Sequence, residues 1–98
     1  MAAKIKTLKW DASNAEDTTG YNVYISQYPN PVTNTSQKFD VGNVTSVILN
    51  DLIPEADGEY NIGVSTYDDS DNEGPMEILS MVPLDFVAPS APTNLRVE

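Results

Sequence analysis

Apolar and polar residues alternate along most of the chain, and the alternating runs are separated by clusters of Asn, Asp, Gly and Pro. Successive side chains on a strand point to opposite faces, so a period of two predicts half-buried β-strands. No stretch sustains the 3.6-residue period of an amphipathic helix. The pattern predicts a first strand over residues 4–12, with Leu8 and Trp10 on one face and Ile5 slightly out of phase. A polar loop, ASNAEDTTG, follows. Residues 20–28 then place Tyr21, Val23 and Ile25 on one face and Asn22, Tyr24 and Ser26 on the other, as a half-buried strand does. In PNPVTNTS, residues 29–36, two prolines remove ladder donors, so this segment is expected to cross between strands.

A short strand over 37–41 leads to a turn at Gly42 and Asn43 and then to TSVILNDL, residues 45–52, where Val47 and Leu49 oppose Ile48. After the corner IPEADG comes the cleanest alternation, with Tyr60, Ile62, Val64 and Thr66 facing away from Asn61, Gly63, Ser65 and Tyr67. DDSDNEGP has turn chemistry throughout, because Asp and Asn side chains bond their own backbone and Gly-Pro ends the loop. It links this strand to MEILSMV, residues 76–82. That run is apolar on both faces, with Met76, Ile78 and Val82 on one side and Leu79 and Met81 on the other. Proline-rich PLDFVAPSAP fits an extended linker, and TNLRV, residues 93–97, alternates as a short strand. The expected organisation is a β-domain over 1–84 and a linker with a strand-like tail over 85–98.

Strands at this spacing suggest an immunoglobulin-like antiparallel β-sandwich. Within it, Leu52, Pro54 and Tyr60 in DLIPEADGEYNIGV resemble the E–F corner signature of fibronectin type III domains. Trp10 is similar to that family's strand B tryptophan, GYNVYI (starting with Gly20 and Tyr21) to its strand C, and STYDDSDNEGP to its F–G loop. The resemblance covers residues 4–82 and implies strands B-C-C'-E-F-G, with Tyr60 holding the corner through its hydroxyl. It also looks like bacterial or phage members, which implies an extracellular, cell-surface or phage-particle location with any export signal outside this chain. One departure stands out. The family opens with a strand A, and here that pattern sits at the other end, at Pro89, Pro92, Asn94, Leu95 and Val97.

Composition narrows the partners. Ninety-eight residues suffice for one hydrophobic core, and the absence of Cys leaves stability to packing. The net charge of −10 repels nucleic acid and anionic membranes, and no apolar run is long enough to span a bilayer. With no His and no Cys, and no serine in a G-x-S-x-G elbow, the chain reads as a non-enzyme without a cofactor.

Three features carry candidate chemistry. Asp69, Asp71 and Glu73, followed by Gly74, imitate the start of a calcium loop, but the twelfth position is Ser80 rather than a bidentate Glu, and a solvated acidic hairpin tip accounts for the same residues. Tyr24 and Tyr67, with Leu79 and Met81 nearby, are candidates for an outward face that binds protein or polysaccharide. Cross-strand tyrosines also stabilise sheets by themselves. Asn34 and Asn43 lie in N-x-[ST] sequons, which two such triplets in an Asn/Thr-rich chain meet by chance as well. The expected function is a structural or docking module of a larger protein, with carbohydrate binding through Tyr24 and Tyr67 as its rival. Residues 93–98 have three readings: a strand returning to an open edge of its own domain, a strand donated to a neighbouring copy, or the first strand of a following module.

Overall fold

The computed structural model describes residues 5–87 and 91–98. Six strands, β1 (Thr7–Lys9), β2 (Thr18–Gln27), β3 (Gln37–Gly42), β4 (Ser46–Ile48), β5 (Asp57–Asp68) and β6 (Glu77–Asp85), and one helical turn, α1 (Leu49–Leu52), make up its regular structure. They form two antiparallel sheets, β1-β4 and β3-β2-β5-β6. The chain is therefore all-β with two sheets, as the alternation predicts. Leu8 of β1 and Leu49 of α1 meet Val23 and Ile25 of β2, Ile62 of β5 and Leu84 of β6 in one buried cluster. This shared apolar layer holds the sheets together.

The expected strand over 45–52 stops at Ile48. Leu49, Leu52 and Ile53 are spaced at i, i+3 and i+4, so a helical turn directs all three to the core where a strand would split them. The turn is held by Ile53 N–H donating to Leu49 O at 2.9 Å. It is tied to the start of β1 by Leu49 N–H donating to Lys6 O at 2.8 Å and Lys6 N–H donating to Asn50 Oδ1 at 3.0 Å. The first strand is likewise shorter than expected, and Ile5 is exposed.

β2 is not half-buried: from Tyr21 to Ile25 both of its faces are covered. Residues 29–36 join the neighbouring strands β2 and β3, and they lie over the outer face of the larger sheet. Asn30 O accepts from Ser26 Oγ at 2.7 Å and from Asn61 Nδ2 at 2.8 Å, and Val32 is buried. At Gly63 the approach is so close that a Cβ would stand 3.1 Å from Val32 Cγ1 and 2.8 Å from Met76 Sδ. Glycine there leaves room for the cover.

A bulge changes the phase of β6. Tyr60 pairs with Val82 and Ile62 with Leu79, so Ser80 and Met81 together oppose Asn61. Met81 takes a positive φ of 57°, and its N–H donates to Asn61 Oδ1 at 3.1 Å. Directly paired residues share a face. Leu79 therefore lies on the side of Ile62, the same face on which Val82 stands beside Tyr60, where an unbroken strand would set the two on opposite faces. Pro83 is tolerated because β6 is an edge strand.

The sandwich also runs beyond residue 84. Leu84 and Phe86 are buried, and Phe86 N–H donates to Ala56 O at 2.8 Å. At the same corner the Tyr60 hydroxyl accepts from Asp57 N–H at 3.0 Å. Tyr60→Phe keeps the ring and removes this acceptor, and is expected to lower the unfolding free energy by about 1 kcal/mol in urea denaturation. Residues 91–98 form no strand, and Leu95 and Val97 are 94% and 99% exposed. A lone alternating segment gains nothing by extending without a partner edge.

Candidate functional site

The outer face of the larger sheet collects the polar groups that the alternation turned away from the core. Register sets Asn22 beside Ser65, Tyr24 between Lys38 and Gly63, and Tyr67 beside Gly20. The loop after β5 then folds back on this face. Asp68 builds the turn, with Oδ1 accepting from the backbone N–H groups of Ser70 and Asn72 at 2.9 Å each and Oδ2 from Asn72 Nδ2 at 3.0 Å. Asp71 supplies a positive φ of 63°, and Gly74 N–H donates to Thr66 O at 2.9 Å. The side chain of Asn72 and these backbone bonds hold the Asp68 carboxyl below the ordinary aspartate range.

This geometry delivers Glu73 to the sheet. Its Oε2 accepts from Tyr24 Oη at 2.6 Å, from Asn22 Nδ2 at 3.2 Å and from Ser65 Oγ. Glu73 as a residue is exposed, but these three donors belong to residues that are 1%, 3% and 2% exposed. Desolvation alone would raise the Glu73 pKa. Hydrogen bonds from Ser65, Tyr24 and Asn22 outweigh it and hold the carboxyl below the ordinary glutamate range. Burial, reinforced by the bond to Glu73, pushes Tyr24 up to about 12.

A second pair crosses the sheet nearby. The Tyr67 hydroxyl donates to Asp40 Oδ1 at 2.7 Å, and the ring reaches it by lying over Gly20, where a Cβ would come within 2.6 Å of Tyr67 Cζ. That bond raises the Tyr67 pKa and, with the Gly42 N–H, lowers that of Asp40. Asn22, Lys38, Asp40, Tyr67, Asp71 and Glu73 line a shallow polar depression between the two pairs.

The four residues expected to form a binding face do not form one. Tyr24 is buried under its bond to Glu73, which removes it from any ligand surface. Tyr67 is half-buried and committed to Asp40, while Leu79, at 56% exposure, lies on the core side of the sheet and Met81 sits exposed in the bulge. The acidic loop is rearranged too. Glu73 turns to the sheet and Asp68 caps its own turn, and among the described residues no group of three acidic side chains is placed to hold a metal ion. Asn34 and Asn43 are exposed in loops.

Of the residues expected to be structural, Trp10 and Tyr21 make a tilted ring contact with centroids 5.5 Å apart at 58°, and the Tyr21 hydroxyl accepts from Ser13 N–H at 2.8 Å. Leu52 and Tyr60 pack against the core, and Pro54 stays exposed beside them. Sequence reasoning missed the partners Asn22, Ser65 and Asp40. Small polar residues facing each other on two otherwise apolar central strands were the available signal for the first two. No family model matches the chain, and no curated protein or solved structure matches it.

Proposed function

We propose that the chain is a fibronectin type III-like sandwich serving as a non-catalytic spacer or docking module in a larger surface, secreted or phage-borne protein. The strand order supports the family reading. In the family's lettering, β1-β4 corresponds to B-E and β3-β2-β5-β6 to C'-C-F-G, and the Tyr60 hydroxyl bonds the backbone at the corner as the resemblance implies.

The observation that carries the functional reading is the commitment of both faces of the central strands of the larger sheet, β2 and β5. Their inner face packs into the core, and their outer face is closed by the Glu73 and Tyr67 hydrogen bonds and by Val32. Edges and ends remain for function, and a stiff body with partners at its ends fixes the spacing of what it connects. The test uses spin labels on cysteines introduced at Asn14 and Glu55, both exposed, in a chain without native cysteine. One narrow distance distribution, unchanged by added polysaccharides, is expected. A broad distribution would contradict the spacer, and a polysaccharide titration lost in Tyr67→Ala would restore the carbohydrate reading.

A further inference from the structure

We infer that residues 93–98 of one copy of this chain add as a strand to the free edge of β1 in another copy, so that the protein associates with itself. The inference stands on the open edge and the unpaired tail and does not depend on the spacer reading.

The phase of the hydrogen bonds defines the edge. Lys6 and Trp10 turn their backbone groups toward the β4 side, through Leu49 N–H to Lys6 O and Trp10 N–H to Thr45 O, and Leu8 pairs with Val47 between them. By the alternation of an antiparallel ladder, Thr7 and Lys9 turn their N–H and C=O groups the other way. No strand among the described residues pairs with that side of β1. The smaller sheet also covers too little. Ile62 is 1% exposed while its cross-strand partner Leu79 is 56% exposed, and Ile5 beside β1 is 70% exposed.

The tail is the complementary part. Thr93 to Val97 alternates polar and apolar residues, its Leu95 and Val97 are almost wholly exposed, and its side-chain bonds among the described residues are those of Arg96 to Glu98 Oε1 and to Asn94 O. β4 has a free edge as well, and charge separates the two. The β1 edge carries the exposed Lys6 and Lys9 in a chain of net charge −10, so it is the strip that an acidic second copy can approach without repulsion. Direction selects another copy over the same chain. Every strand pair among the described residues is antiparallel. An antiparallel addition to β1 enters at its Trp10 end. The chain leaves the sandwich at the other end, where Phe86 bonds Ala56 beyond the turn that Lys6 contacts. Its own tail would have to cross the domain and reverse, whereas a neighbour's tail arrives without that detour.

Sedimentation of the full chain across a concentration series in about 0.15 M salt, where screening leaves a Debye length of about 8 Å, tests the inference. The average mass is expected to rise with concentration, and exchange of the Thr7 and Lys9 amides to slow at least about tenfold on association, in line with strand pairing. Leu95→Asp with Val97→Asp blocks donation without touching the core, and Thr7→Pro removes an outward N–H and blocks acceptance. Each variant alone is expected to stay monomeric, and an equimolar mixture of the two to form a 1:1 complex. A wild-type chain that is monomeric throughout would overturn the inference, as would undiminished association of the tail variant. The tail variant decides the matter even if Thr7→Pro does not fold.

Discussion

Glu73→Ala is expected to lower the unfolding free energy by about 3 kcal/mol, a large effect for a residue in an exposed loop, because it strands three buried donors at once. A buried donor left without an acceptor costs roughly 1–3 kcal/mol. Tyr24, Ser65 and Asn22 all lose theirs to a single substitution, and water reaching the vacated edge of the sheet offsets part of the sum. Glu73→Gln keeps an acceptor oxygen and gives up the strengthening that charge brings, so about 1 kcal/mol is expected. Urea denaturation at pH 7 checks both values. The pH dependence has a definite sign. Glu73 titrates lower in the fold than in the unfolded chain. Its contribution is therefore full above the ordinary glutamate pKa and is lost as pH falls through the lower folded value. The gap between wild type and Glu73→Ala should narrow in acid. Asp40 and Asp68, also lowered, add to the acid sensitivity that both proteins share.

Phe86→Ala is expected to cost about 3–4 kcal/mol, as large aromatic truncations in packed cores do. The residue is 8% exposed within the main apolar cluster, in a stretch whose prolines read as linker. Val87→Ala, one residue on at a 48% exposed position, should change stability by less than about 0.5 kcal/mol. Thermal unfolding of the two variants side by side locates the end of the domain: equal effects would place Phe86 outside the core.

The strands were legible where one face meets the core and the period of two is unbroken, as in β5. Legibility failed where a local device changed the phase. Leu49, Leu52 and Ile53 carry a helical spacing, but three apolar residues are too few to separate a turn of helix from the end of a strand. The bulge at Ser80 and Met81 leaves no mark in the apolar pattern, since a run apolar on both faces accepts either phase. At the candidate site the alternation did assign Asn22, Tyr24, Ser65 and Tyr67 to one face. What it could not supply was the cover. Whether Tyr24 faces solvent depends on residues 29–36 and on the fold of the loop carrying Glu73, about fifty positions away, and a chain's local pattern holds no information on such a distant contact. The acids of that loop are adjacent in sequence, and nothing in the local pattern separates their roles. In three dimensions Asp68 serves the turn and Glu73 serves the sheet.

Tyr24 is a buried part of the sheet, clasped by Glu73, and not a surface for ligands. Its titration tests this most directly, followed by NMR at the tyrosine ring carbon bearing the hydroxyl and assigned with Tyr24→Phe. Ionisation near 12 is expected, with stability falling as pH rises from about 10, the ordinary tyrosine pKa, toward that value, and a shift back toward 10 in Glu73→Ala. A Tyr24 that titrates near 10 in the folded wild-type protein, indifferent to Glu73, would contradict it.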